Sequence, residues 1–587
     1  MPLLVRSEKI AACLLLALCA SSAKAQQQAV PPAVTLTVVD ENGVAIPDAV
    51  VTLLAPGAAG TQLRTDYAGH CTLTPQPGSG YRIRAEKPGF YQAESNLEAG
   101  ATAARIVLAH EQIVLEQVNV NASAPGIDPE QTANKSIMTT AEIVNVPYPT
   151  SRDIRNLLPF NPGVVRASGG QVHVAGSESW ETLDLLDGFD MRSPVNGTLD
   201  VRVSGDAVRV VETESTRYPV EFGRATGGIV AYTTGMGDNK FRFNATNFLP
   251  SFRDVNGPRF DKVAPRLTFS GPLLRNRVWF FDGLEGEYDN IYVSGLPSGA
   301  NTDHLARGSE LIKTQANLTP ANILTAGLLF NDSHSPYDGI STLVPQQSTV
   351  DRNSIVWLPY LRDHWSIGGA LLDVGVAVAH FRDGYEPHGS TPYEITPETT
   401  EGSYFENLKG SSQREQATAT LYLPPQQWYG QHSVKVGIDA DHIGYDESVT
   451  RAPVTYLSEA GSVLRQSVFP QTAPFTVHNI EAGAYIQDRW QTRPGLLLEP
   501  GLRFDWDEIV RRPLLSPRIA ATYSPPGSES KFKLSGGVGL YYEHTQLEYL
   551  TRAQAGVRFD TYYAADGITP TGPAQETEFT ANDSTLH

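Results

Sequence analysis

From Lys240 onward, apolar and polar residues alternate in long runs. Leu498, Pro500, Leu502, Phe504 and Trp506 form one face of such a run, and Glu499, Gly501, Arg503 and Asp505 form the other. Val434, Val436, Ile438 and Ala440 likewise oppose Lys435, Gly437 and Asp439. Phe532, Leu534, Val538, Leu540 and Tyr542 oppose Lys533, Ser535, Gly537 and Gly539. A period of two marks a β-strand with one apolar and one polar face. Runs of roughly ten residues cross a bilayer as tilted strands, apolar side to lipid and polar side to a lumen. Trp279, Phe280 and Phe281, and Tyr485 with Trp490, fall where such a barrel is expected to carry its aromatic girdles. Soluble sandwiches and propellers use shorter strands, and the sequence shows no propeller-like repeat.

Ahead of Lys240 the strands are short and turns are frequent. Across 33–110, apolar runs at 34–39, 46–53, 70–73 and 80–85 are parted by turn signals such as Asp40, Asn42 and Gly43. Strands spaced at about eight to twelve residues read as a small β-sandwich. A β-prone stretch of Leu115, Glu116, Gln117, Val118, Asn119 and Val120 follows, inside a 112–134 segment that ends as a linker rich in small residues. It reads equally as an edge strand that adds to another protein's sheet and as a strand of a neighbouring domain. Over 135–236 the pattern mixes two short helices with strands. Thr140 opens the first helix, and Ser151 is the expected cap of the second. Asp187 and Gly188 form a strand-ending turn. Phe222, Gly223 and Arg224 enter a turn that closes with Gly227 and Gly228, just before a β-branched strand. Asp184 and Asp187 have no partner His or nucleophile motif, so they read as structural.

Composition narrows the class. The chain has 587 residues and a formal charge of −19, which disfavours a nucleic-acid partner. With Gly 51, Pro 41 and Tyr 24, short strands and turns are favoured over helices. Arg6 and Lys9, the apolar run at 10–20 and the small residues Ala23 and Ala25 make 1–25 a cleaved secretory signal. Cys71 is then the single cysteine left, so no intrachain disulfide is expected. There is no HExxH, GxSxG or phosphate-loop motif, and His70 and Asp66 lack companions at metal-ligand spacing. No cofactor, metal site or enzymatic activity is expected.

Two resemblances add to this reading. The words D-x-x-G, P-x-A-x-V, T-D-x-x-G, G-Y and G-F in 33–110 resemble the carboxypeptidase regulatory-like domain, a non-catalytic transthyretin-like sandwich classed with carbohydrate-binding-like folds. The ordered words RDIRNLLPFNPGV, VHVAGS, LDLLDGFD and VRVVETESTRYPVEFGRATGGIVAYTTG resemble the plug of TonB-dependent outer-membrane receptors of the Oar-like group. Phe222 stands where that family usually has Tyr. RLTFSGPLLRNRVWFFDGLEGEY and AYIQDRWQTRPGLLLEPGLRFDWDE resemble its barrel strands.

The resemblance implies a mainly β chain: signal (1–25), sandwich (33–110), TonB-contacting segment and linker (112–134), small α+β plug (135–236) and antiparallel transmembrane barrel (240–587). It implies an outer-membrane receptor importing a bulky nutrient, an oligosaccharide, peptide or metal chelate, with periplasmic TonB and membrane lipid as partners. Leu115 to Val120 would contact TonB, although Asn119 stands where an apolar residue is commoner. The alternatives are a surface adhesion or export-linked barrel without import, or a decayed or truncated receptor. We count about thirteen barrel strands where plugged transporters have about 22, so the barrel is expected to be incomplete and the chain a fragment.

Overall fold

The computed structural model describes residues 33–54, 60–75, 81–98, 100–111, 131–148, 152–167, 170–254, 257–525, 532–551 and 556–578. Among these residues, thirteen strands pair edge to edge in chain order, from Arg242–Thr246 to Leu534–Gly539. All are antiparallel neighbours, as hairpin connection requires. Arg242–Thr246 and Leu534–Gly539 end the ladder and do not pair with each other.

The alternation decides which way each strand faces. Leu502 and Phe504 are 45% and 40% exposed, while Arg503 between them is 1% exposed. Ile438 is 62% exposed beside Asp439, which points inward to ion-pair partners. Val538 and Leu534 also lie on the outer face. An apolar exterior around a polar interior is the arrangement a bilayer selects, because each face then meets the solvent it suits.

Two features differ from the sequence expectation. The strands are longer than a bilayer needs: Val278–Tyr292 has 15 residues and Gln431–Arg451 has 21. The long loops join these strands at one end. There Tyr393–Ile395, Thr400–Glu401, Val454–Leu457, Val463–Val468, Val557–Tyr562 and Gln575–Glu578 make a separate sheet. Tyr393, Phe405, Val454 and Phe469 form a core under it. Second, Trp279, Phe281 and Tyr485 do not sit in an aromatic girdle. All three are buried and face the lumen. Phe281 joins the core shared with the domain inside the barrel, and Tyr485 bonds Thr420.

That inner domain carries a five-stranded mixed sheet, in the order Phe189–Asp190, Thr182–Leu186, Gly228–Thr234, Val208–Thr216 and Asn134–Thr139. Thr182–Leu186 and Gly228–Thr234 run parallel, and the other pairs are antiparallel. Its first helix, Thr140–Asn145, is held by a reciprocal cap between Thr139 and Glu142. The second, Ile154–Leu157, is capped by Asp153, which accepts from the Arg155 amide. Ser151, the cap expected from sequence, lies outside the described residues. Asp153 wins because its side chain reaches the first free amide and also pairs with the Arg155 guanidinium at 2.7 Å.

The N-terminal domain packs two sheets face to face. One contains His70–Leu73, Val34–Asp40 and Ala103–Leu108; the other contains Thr61–Arg64, Val50–Leu54, Tyr81–Glu86 and Ala93–Leu97. Leu36, Val38, Val51, Leu73, Ile83 and Leu108 fill the space between them.

The exposed face of Gln431–Arg451 gives a direct test. Ile438→Arg should cost about 2–4 kcal/mol in a urea titration of the chain folded into lipid vesicles, and Ile438→Leu almost nothing. Equal stability of the two variants would mean that this face does not meet lipid.

Candidate functional site: the seat of the plug in the barrel

The inner domain meets the barrel wall through a shared apolar core and through clusters of buried ion pairs. On one side its apolar residues merge with the wall into one core. Leu186, Phe189, Val208 and Tyr232 pack there with Phe281, Leu311, Leu329, Leu358 and Ala379 of the barrel. Ion pairs flank that core, with Arg202 of the plug on Glu285 at 2.7 Å and Glu287 at 2.8 Å and Arg266 of the wall on Asp206 at 2.8 Å, and the largest ionic cluster lies on the other side.

The ionic seat centres on the FGRATGG turn. Arg224 adopts a left-handed backbone, with φ of 54°. Its guanidinium enters a cage of barrel carboxylates: Asp439 at 2.5 Å, Asp441 in direct contact, Glu481 at 3.5 Å and Asp505 at 3.9 Å. Burial opposes the Arg224 charge, and the four carboxylates more than offset it, holding the group cationic beyond its usual range. Arg503 completes the cage. It pairs with Asp505 and Asp439, both at 2.7 Å, and donates to the Glu221 carbonyl at 3.0 Å.

This explains the glycine at 223. A Cβ there would lie 2.1 Å from Arg503 Nε, so any side chain displaces the guanidinium. Arg518 supports the turn from below. It donates to the carbonyls of Pro219 at 2.7 Å and Phe222 at 2.9 Å, between the rings of Tyr218 and Tyr541. Phe222 packs against Leu183, Leu185, Tyr218, Ala225 and Ile229. Gly227 lies against Ser177, and Gly228, with φ of 148°, lies against the Glu214 carbonyl.

Asp187 and Gly188 sit elsewhere, at the apolar seat. Asp187 accepts from Tyr360 Oη and Thr234 Oγ1, both at 2.6 Å, and pairs with Lys313 at 3.1 Å. Burial opposes its charge, but Lys313 and these hydrogen bonds prevail and hold its pKa below the usual carboxylate value. Gly188 lies under Arg362. Nearby, Asp190 joins Arg192 at 2.8 Å to Arg414 at 3.4 Å. Gln416 exchanges two bonds with the Asp190 backbone. Asp184 takes a different partner from Asp187, receiving the Tyr232 hydroxyl at 3.4 Å. Leu115, Glu116, Gln117, Val118, Asn119 and Val120 lie outside the described residues.

The sequence reading named the turn but not its counterpart. Asp439, Asp441, Glu481, Arg503, Asp505, Arg518 and Arg414 come from five different barrel strands. Alternation marks them as inward-facing polar residues; only the strand register gathers six of them around the turn and sets Arg414 against Asp190.

A mixed-sheet plug fixed inside an antiparallel lipid-facing barrel is the architecture of the TonB-dependent outer-membrane receptors. Over 264 residues the sequence is 26% identical to the TonB-dependent transporter Oar of Myxococcus xanthus, covering 40% of this chain and 25% of the relative. The chain therefore spans about a quarter of the length of that curated relative. Among solved structures, its fold is similar to the outer membrane transporter YddB from Escherichia coli, with a TM-score of 0.58 and 16% identity over 73% of this chain and 66% of that one. It is also similar to the siderophore receptor PirA from Acinetobacter baumannii, with a TM-score of 0.53 and 17% identity over 71% of this chain and 62% of that one. No protein-family model matches the chain.

Removing one partner of a buried ionic cage leaves the others uncompensated. Arg224→Ala should lower stability in a denaturant melt by about 3–5 kcal/mol, with Arg224→Lys intermediate. A loss under about 1 kcal/mol would mean that water already fills the cage.

Asp184 gives a pH prediction. Burial pushes its carboxyl up to about 7, with Arg192 partly offsetting the rise. The folded state therefore holds a proton that the unfolded chain releases near the ordinary value of 3.8. Stability from this group is complete below that value and is lost as pH rises toward about 7. The stability of Asp184→Asn relative to the parent should climb across this window and then level off. A difference independent of pH would show that Asp184 is ionised in the fold.

Proposed function

We propose that the chain acts as a TonB-dependent outer-membrane transporter. Its plug blocks the lumen until TonB pulls on the 115–120 segment. The cargo is a bulky nutrient: an oligosaccharide, a peptide or a metal chelate. The observation that carries this reading is the two-part seat. An apolar contact is costly to open to water, because it loses its burial free energy. An ionic contact opens more readily, because water and counterions replace the protein partners. A plug held by Arg224 and Arg503 on one side, and by Phe189 and Tyr232 on the other, is suited to yield on the ionic side while staying attached on the apolar one. No covalent step is involved; the work is a conformational gate. The sandwich, resembling a carbohydrate-binding-like fold, inclines the reading toward glycans or polypeptides by analogy of fold.

The test uses cells carrying the full chain, with and without TonB, offered panels of oligosaccharides, peptides and ferric chelates. Uptake of one class should fall to background without TonB, and equally when residues 115–120 are deleted, while surface binding persists. Uptake that survives both changes, or none of any class, would sink the transporter reading. Binding without uptake in every strain would instead favour an adhesion role.

A further inference from the structure

A plug-and-barrel gate has no need of the N-terminal sandwich, yet that domain is docked across the mouth of the barrel. Among the described residues, its contacts with Asn317, Tyr422 and Arg489 of the wall fall at the end with the short turns, which in such barrels faces the periplasm. Asn42, a turn residue only 7% exposed, donates to the Gly237 carbonyl at 3.0 Å, where the plug passes into the barrel. Its own carbonyl accepts from Asn317 of Thr302–Thr319 at 2.6 Å. Asp48 pairs with Arg489 of Phe475–Arg493 at 3.0 Å. The Tyr67 ring packs on Tyr422, centroids 4.2 Å apart. Five strands lie between Thr302–Thr319 and Phe475–Arg493 in the ladder, so the contacts reach across the opening.

The plug is touched as well. At Gly89 an added Cβ would lie 2.6 Å from Val210 on plug strand Val208–Thr216. Tyr67 also covers Lys435, whose Nζ is 5.9 Å from the ring centre and 2.7 Å from Glu221 of the plug. Glu221 adjoins the FGRATGG turn. The sandwich therefore shields an ion pair that ties the plug turn to the wall, and an ion pair kept from water is stronger than an exposed one.

We propose that the sandwich is a second stopper in series with the plug: docked, it covers the periplasmic mouth and seals the Lys435–Glu221 pair, and it must undock before the plug can open. This rests on the transporter reading. In the chain the 115–120 segment lies between the two docked bodies. A pull there loads both, and the sandwich is the outer of the two.

Single cysteines read the docking directly. The native Cys71 stays silent, because burial pushes its thiol up to about 12, and the parent chain serves as the blank. In the purified full chain, a maleimide should label Asn42→Cys and Tyr67→Cys roughly ten-fold more slowly than Ser95→Cys on the sandwich's exposed face. Equal rates would overturn the docking, whatever the chain transports. In energised cells given the imported nutrient, the two docking-face cysteines should speed up in a TonB-dependent way. Ala225→Cys, buried within the plug turn, reports the plug separately. If Ala225→Cys becomes reactive while Asn42→Cys and Tyr67→Cys stay protected, the transporter reading stands and the second stopper falls. If none responds to energy, both fall together.

Discussion

Arg224 and its carboxylates set the terms for the rest of the plug. Four acids facing one lumen site repel one another and resist leaving water. Two guanidinia, from Arg224 and Arg503, make that site tolerable. The local backbone follows from their placement. The turn must bring Arg224 inward, so its φ is positive. Arg503 must lie flat on the chain, so position 223 has no side chain. The following strand, Gly228–Thr234, is thereby fixed in height and becomes the centre of the plug sheet, with Thr182–Leu186 and Val208–Thr216 beside it.

The asymmetry of the seat matters more than its total strength. Wall strands from Val278–Tyr292 to Ala370–Pro387 supply the apolar contacts, through Phe281, Leu311, Leu329, Leu358 and Phe381. Glu285 and Lys313 of those strands, and Arg266 of the strand before them, also pair with the plug, and the later strands carry the densest charge cluster, through Asp439, Glu481, Arg503 and Arg518. The two kinds of contact respond differently to water. Apolar surface exposed to it is a loss at every stage of opening. A separated ion pair regains hydration, so the net cost of parting is smaller than the attraction itself. On the proposed opening path the side holding the Arg224 cage is the release side, and the shared apolar core is the hinge side.

Much of this was legible in the alternation. Arg503 and Asp505 turn inward, and Leu502 and Phe504 outward, as a period of two demands. The pattern failed where the interior is not water. Trp279, Phe281 and Tyr485 looked like girdle residues because a water-filled lumen would reject them. They face a plug, which offers Phe281 an apolar core, so aromatics are stable on the inner face. The second helix is capped by Asp153, which also pairs with Arg155, while Ser151 lies outside the described residues. The cage acids were visible only as inward polar positions. Asp439 and Asp505 are 66 positions apart in sequence and meet through register, which a single chain's composition does not encode.

Placing the sandwich beside the proposed gate changes what that gate must do. A buried ion pair at the edge of a mouth is only as protected as whatever covers it. The Lys435–Glu221 pair is covered from outside by Tyr67 of the sandwich, whose ring packs on Tyr422 of the wall. Lifting Tyr67 admits water to one side of the pair. The attraction then falls as the local dielectric rises, before any plug residue has moved. The order of events is thus built into the geometry: the outermost cover is also the domain joined to the plug by the segment preceding it, and loosening it weakens the contact next to Arg224. The cage is then the last restraint on the release side rather than the first.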